Sequence, residues 1–372
     1  MYRLLLLLFC ACSSAIYAEN FDYARADSLI NSVIYPMNAD STTSTNKVGD
    51  AAFLDKARCI PGAVLCVVDS GHVVYLKAYG NRAVVPAVEQ MTTNTVFDLA
   101  SLSKPLGAGA AALLLIQQGR LSADDRVNRY LPHFQTDATI RDLLTHRSGL
   151  PPYMNARLLD SIYIACHTPA LSRQDFLLDT ICRCRRLSAP GEQYRYSCLN
   201  FITLQRVVET ITGENLQAFL SSNLYAPLGM DVMGWLPSDT FRARIAPTEC
   251  NAGGDCLRGV VHDPLARVMM CGLSGNAGLF ATAEDVAKWC RWFMSQSDSV
   301  RRAACNAGLW LDDDEDTFIE LRHTGYTGTS IALYPDYGRA VILLTNRVHP
   351  TDIGNLATLR RQVNSCFCPA KR

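Results

Sequence analysis

Two β-hairpin patterns stand at opposite ends of the 372-residue chain, and they limit the fold more than any other feature. Residues 62–80, GAVLCVVDSGHVVYLKAYG, are two β-rich runs around the turn Asp69-Ser70-Gly71. Residues 329–347, TSIALYPDYGRAVILLTNR, repeat the design around Pro335-Asp336-Tyr337-Gly338. Strands that bracket the chain in this way are expected to pair into one antiparallel sheet of about five strands. The middle reads mostly helical: 102–118, 140–146 behind the capping box Thr139-x-x-Asp142, 199–212, 215–225 and 283–295. Leu29, Ile30, Val33 and Ile34 fall at helical spacing near the start, and 352–366 reads as a closing helix. The expectation is an α/β (α+β) protein with terminal helices on the sheet and a second, helical lobe. Residues 20–372 then form one domain, with a sheet lobe from about 20–95 and 315–372 and a helical lobe over about 100–300. The crevice between the lobes is the default ligand site.

Hydrophobic residues at 49% and charged ones at 19% describe an ordinary globular chain long enough to bury a large core. Thirty-five basic residues offset thirty-five acidic ones, so no overall field draws the protein to nucleic acid or anionic lipid. The first residues, MYRLLLLLFCACSSAIYAEN, combine Arg3, an apolar core and small residues, the build of a secretory signal with cleavage after Ala18. Cys12 offers an alternative as a lipoprotein acceptor, which would make an N-terminal lipid the one membrane contact. Periplasmic or lipid-anchored placement and a monomeric state are the expectations.

Of the 15 cysteines, Cys10 and Cys12 lie in that signal, which leaves an odd number for the exported chain. The polar loop ECNAGGDCL points to a Cys250–Cys256 bridge, whereas Cys66, Cys271 and Cys290 sit among apolar residues and read as small buried hydrophobes. The C-x-C pairs Cys182/Cys184 and Cys366/Cys368 miss the usual zinc spacing, so no metal is expected.

Chemistry gathers at FDLASLSKPLG, residues 97–107. Pro105 belongs in the first turn of a helix, because an interior proline loses a hydrogen bond and clashes with the preceding turn. An unkinked helix then starts near Leu102, and Ser101 sits at its N-terminus, where free N–H groups and the helix dipole favour developing negative charge. Lys104, three residues on, can reach the Ser101 hydroxyl, and burial is expected to lower its pKa toward working pH. The competing reading is a capped helix with an ordinary lysine. A second S-x-x-K, Ser44 to Lys47, lies in a polar loop with nothing to depress a lysine pKa. Tyr196, just before an amphipathic helix, could relay protons, and His323-Thr324-Gly325 opens the last hairpin, with Gly325 allowing close approach of a substrate.

These elements, in this order, resemble the boxes of the serine β-lactamase and penicillin-binding-protein superfamily, and the resemblance runs from about Pro61 to Pro350. The segments FDLASLSK, TIRDLLTHRSGLP, YSCLNF, APLGM, RGVVHD, GNAGLF and HTGYTGTSIALYPD look like successive parts of its class C-like branch. The resemblance implies Ser101 as nucleophile, Lys104 as general base, Tyr196 as proton shuttle, and the backbone N–H groups of Ser101 and Tyr326 as the oxyanion hole, with no cofactor. Three positions depart from it. His323 stands where lysine is common, Cys198 replaces the Asn or Asp of the tyrosine box, and Asn276 stands where GHAGLF relatives carry histidine. His262 in RGVVHD is read as a wall of the site, and His146 as a structural residue. If His323 holds an anionic substrate group, it must do so as an imidazolium.

The functional expectation is a secreted serine hydrolase that forms an acyl-enzyme on Ser101 and cleaves an amide in peptidoglycan fragments. A carboxylesterase or weak β-lactamase is the alternative with the same machinery. A non-catalytic binder of cell-wall fragments is the alternative of another class.

Overall fold

The computed structural model describes residues 21–34, 59–166, 171–314, 318–352 and 354–369. The proposed signal, Cys12 and the Ser44–Lys47 pattern lie outside the described residues. The strands are β1 (Gly62–Asp69), β2 (His72–Ala83), β3 (Glu89–Gln90), β4 (Phe97–Asp98), β5 (Gly234–Trp235), β6 (Leu279–Ala281), β7 (Trp310–Asp314), β8 (Phe318–Thr324), β9 (Ser330–Tyr334) and β10 (Arg339–Thr345). A seven-stranded sheet has the order β3-β2-β1-β10-β9-β8-β7, so the two terminal hairpins do join, through antiparallel pairing of β1 with β10. The expected five strands become seven because the short β3 and the edge strand β7 extend the two ends. A second sheet, β4-β6-β5, is small.

The two-residue period of the central strands sorts their side chains onto two cores. Val64, Cys66 and Val68 of β1, with Ile342 and Leu344 of β10, face the larger core shared with the helical lobe. Ala63, Leu65, Val67, Val341 and Leu343 face a smaller core, which Ala26, Ile30, Leu359, Val363 and Phe367 of the chain ends complete. Strands buried on both faces read as continuous apolar runs, which is why β1 and β10 show no alternation in sequence. The helices Tyr23–Asn31 and Ala357–Ser365 cover that second face.

Helical elements run through the expected stretches, with one instructive difference. Instead of one unkinked helix from Leu102, the segment starts as a 3-10 turn over Ala100–Leu102, widens to a π turn over Lys104–Gly109 and becomes α-helical over Ala110–Gln117. Pro105 has no N–H to donate and sits in the first π turn, where the regular ladder cannot form. The Thr139–Asp142 capping box is present at Ile140–Leu144. Cys250 and Cys256 are bridged. Cys66 and Cys290 are buried as expected, but Cys271 is exposed, because its left-handed backbone (φ 53°) in the turn after Met270 directs it out of the apolar run. Cys182, Cys184 and Cys366 are free thiols.

Candidate active site

The floor of the site is the ammonium of Lys104, on a side chain with no solvent exposure. Its Nζ donates to Ser101 Oγ at 3.0 Å and to the carbonyl of Asn276 at 2.9 Å, and it lies 5.0 Å from the centre of the Tyr196 ring. Asn276 therefore contributes its backbone, and its turn is gripped from three sides. The Trp235 indole N–H donates to the carbonyls of Ser274 (3.0 Å) and Ala277 (3.2 Å). Gln205, on the helix Cys198–Thr212, accepts from the Gly275 N–H at 2.8 Å. The Ser274 hydroxyl donates to the Asn276 side-chain oxygen at 2.6 Å.

Burial is the largest influence on Lys104 and lowers its pKa, as the sequence suggests. Cys198 and Tyr196 when ionised, and the Asp263 carboxylate, oppose it, and the balance lies above the ordinary lysine value. Burial alone would bring the lysine toward neutrality, as expected, but with these anionic neighbours the balance runs the other way, toward an ammonium that holds Ser101 Oγ as a donor.

Ser101 is placed by the backbone before it. Ala100 takes a left-handed conformation (φ 47°), its N–H donates to Asp98 Oδ1 at 2.8 Å, and the other oxygen of this fully buried carboxylate accepts from the His262 N–H at 2.7 Å. Across the crevice, Thr327 Oγ1 donates to the Asp98 carbonyl (2.8 Å) and Thr329 Oγ1 to the Leu99 carbonyl (3.0 Å). Gly325 is required there, since a Cβ would lie 2.1 Å from Thr329 Oγ1 and 2.5 Å from the Leu99 carbonyl oxygen. This clamp brings Tyr326 onto the same cavity as Ser101. The Ser101 N–H belongs to the opening turn of the helical run, where N–H groups lack intrahelical partners.

The cavity has a volume of about 650 Å³, and its lining includes Ser101, Tyr194, Tyr196, Trp310, Tyr326 and Arg347. Tyr326 donates its hydroxyl to Asp352 at 2.5 Å, and Arg347 binds both that carboxylate and the Tyr326 carbonyl. Of the remaining residues expected at the site, Cys198 is half-buried at the first position of its helix, with its N–H on the Pro152 carbonyl at 2.9 Å. His262 stacks on the Tyr326 ring (centroids 5.5 Å apart), and its Nε2 is 3.3 Å from Glu249. It thus backs the cavity's rim residue.

His323 is fully buried under Trp310, with stacked ring centroids 4.3 Å apart, and it does not line the cavity. Burial, reinforced by Lys104 and His146, pushes its pKa well below the ordinary histidine value. The imidazolium that anion binding by His323 would require is therefore disfavoured, because the neighbouring ammonium and the absence of solvent both oppose a second positive charge. His146 is also neutral. Its Nδ1 accepts from the Ser197 N–H at 3.1 Å, its ring lies 4.5 Å from that of Tyr196, and burial pushes its pKa down to about 3.

Sequence reasoning missed Asp98, Trp310, Tyr194 and the Arg347–Asp352 pair. Asp98 lies two residues before Ala100, the spacing at which a carboxylate can accept a backbone N–H, and that signal was available. The aromatic wall carries no periodic signature, and the Arg347–Asp352 pair forms across an irregular turn.

The beta-lactamase family profile matches residues 51–365, so the chain belongs to the beta-lactamase family. An N-acetylmuramyl-L-alanine amidase of Bacillus subtilis (strain 168) is 28% identical, over 90% of this chain and 89% of its own. Among solved structures, EstCE1, a hydrolase with promiscuous acyltransferase activity, superposes with a TM-score of 0.67 at 21% identity, covering 93% of this chain and 99% of its own. A class C beta-lactamase gives 0.67 at 17% identity, covering 95% and 99%. These two likenesses establish the fold, a β-lactamase/transpeptidase-like one, and the chain is a serine hydrolase of that family.

Two outcomes follow from the geometry. Gly325→Ala should lower kcat/KM for a neutral nitrophenyl ester by at least about 100-fold, since ångström-scale displacement at a reacting centre has that effect. The neutral state of His146 contributes stability that is full above the unfolded-state pKa of about 6.5 and is lost as pH falls toward 3. Urea titrations from pH 7 to 5 should therefore show a decline in unfolding free energy that is smaller in His146→Gln, by about 1.4 kcal/mol per pH unit below 6.5. Identical slopes in the two proteins would mean that His146 is protonated in the folded state.

Proposed function

We propose that this protein is a secreted hydrolase that forms an acyl-enzyme on Ser101 and cleaves an amide bond in peptidoglycan fragments. The observation that carries the catalytic part is the 3.0 Å contact between the buried Lys104 ammonium and Ser101 Oγ, at a cavity shared with Tyr196 and Tyr326. A structural lysine would gain nothing from being desolvated against a serine hydroxyl, because removing the ammonium from water is costly unless its partners repay it.

In the proposed cycle the substrate carbonyl carbon meets Ser101 Oγ, and its oxygen is received by the N–H groups of Ser101 and Tyr326. Proton transfer from Ser101 needs an acceptor, so the reactive form of the Lys104–Tyr196 pair is one proton short, with the tyrosine oxygen free to take the serine proton while Lys104 keeps its charge. Lys104 acts as the charge that steadies Oγ as its proton departs, and Tyr196 returns the proton to the leaving nitrogen. Water then attacks the ester on Ser101, and the same pair accepts the water's proton and restores the serine hydroxyl.

The peptidoglycan assignment draws support from the amidase relative, matched over nine-tenths of both chains. The secreted part of the reading rests on the apolar N-terminal segment with its small-residue cleavage pattern after Ala18. His323, neutral and covered by Trp310, adds no charge beside the nucleophile, which suits an uncharged scissile amide.

Ser101→Ala should remove hydrolysis of purified muropeptides by a factor of about 10⁴ or more while the circular dichroism spectrum and urea midpoint stay near wild type. Tyr196→Phe should retain some acylation of Ser101 but lose most turnover. Wild-type turnover of short-chain esters with intact muropeptides left uncleaved would favour the esterase reading, and full activity in Ser101→Ala would end the serine mechanism.

A further inference from the structure

A second cavity, of about 710 Å³, lies beside the first, and Tyr194 and Trp310 line both, so these two rings form the wall between them. Its lining also includes Arg141, Arg147, Arg302 and a single carboxylate, that of Asp142. Arg141 is paired with Asp124 and Arg302 with Asp298, but Arg147 is exposed and has no acidic partner among the described residues. Among the described residues its guanidinium donates to the Gly191 carbonyl alone, at 3.4 Å.

The cavity is built into the catalytic core. The 146–149 turn is laced to the segment that carries Tyr194 and Tyr196: Gly191 N–H donates to the Arg147 carbonyl (2.8 Å) and Arg195 N–H to the His146 carbonyl (2.8 Å). On the other side, Cys305, Asn306 and Ala307 are consecutive left-handed residues (φ 47°, 51° and 55°). That turn is pressed against the helix that follows Ser101 so closely that a Cβ at Gly109 would lie 1.9 Å from the Ala307 carbonyl oxygen. Non-glycine residues adopt such conformations where surrounding structure imposes them, and they concentrate at binding and catalytic sites.

We propose that this cavity is a second subsite of the binding groove, which takes a carboxylate-bearing peptide extension of the substrate on Arg147 while Tyr194 and Trp310 support the chain passing between the cavities. The proposal rests on the acyl-enzyme reading above and adds its substrate class: an extended, acidic peptide conjugate in place of a minimal amide or ester. Arg147 supplies the planar two-pronged donor suited to a carboxylate, and of the three arginines in the lining it is the one without an acidic partner among the described residues.

The test uses inhibition of nitrophenyl butyrate hydrolysis by two dipeptides, L-Ala-D-Glu with free carboxylates and its fully amidated counterpart. In the wild type the acid form should compete with a Ki about tenfold lower than the amide, a ratio typical of one charge-assisted hydrogen-bonded contact. In Arg147→Gln the two Ki values should agree within about twofold, and Arg147→Lys should recover part of the ratio. Arg147 is exposed, so these variants carry little risk to folding. Equal inhibition by the two dipeptides in the wild type, or an unchanged ratio in Arg147→Gln, would overturn the subsite. Loss of nitrophenyl butyrate turnover in Ser101→Ala keeps the two questions separate, because it tests the acyl-enzyme reading whether or not the dipeptides are distinguished.

Discussion

The ammonium of Lys104 is out of reach of water, and the architecture around it exists in a form that makes this tolerable. A buried cation needs fixed acceptors, and here they are a serine hydroxyl and one backbone carbonyl, with a tyrosine ring alongside. The Asn276 carbonyl can serve only because Trp235, Gln205 and Ser274 hold its turn in place. Those residues come from a small-sheet strand, the helix Cys198–Thr212 and the turn itself, so three separate parts of the helical lobe converge on a single donor–acceptor distance.

Ser101 is tied to the large sheet by a different device. Hydroxyl groups of Thr327 and Thr329 reach the carbonyls of Asp98 and Leu99 just ahead of Ser101, with glycine at 325 to let the chains meet. Asp98 meanwhile fixes Ala100 in its left-handed conformation. The sheet lobe thus sets where Tyr326 stands relative to Ser101, and the helical lobe sets where the Lys104 charge is held. Catalysis of acyl transfer needs both to be rigid at once, since preorganised donors are effective only if they need not rearrange during reaction.

Much of this was legible in the sequence. The hairpins of β1–β2 and β9–β10 announced the sheet because turn chemistry and β-branched runs are local signals. Ser101, Lys104 and Tyr196, which the structure brings together, stand in short motifs, and Tyr326 beside them follows from the family resemblance. What escaped depended on environment. Lys104 was expected to lose its proton on burial, but the opposing influence of Tyr196, Cys198 and Asp263 comes from residues far away in sequence. A substrate-binding His323 would have to be a cation, whereas Trp310, on the neighbouring strand, covers it and burial keeps it neutral. The unkinked helix gave way to 3-10 and π turns because Pro105 breaks the ladder at the point where the lysine must turn back to the serine. The aromatic wall of Tyr194 and Trp310 brings together residues from two distant segments, with no spacing rule to reveal it.

The central claim is that Ser101 becomes acylated. Purified protein should be exposed separately to a muropeptide mixture, a penicillin and a short-chain ester, quenched in acid, digested and analysed by mass spectrometry. An added acyl mass is expected on the peptide that contains Ser101, abolished in Ser101→Ala, with the muropeptide sample also releasing products of amide cleavage. Amide cleavage that proceeds with the Ser101 peptide unmodified at every quench time, and continues in Ser101→Ala, would contradict it.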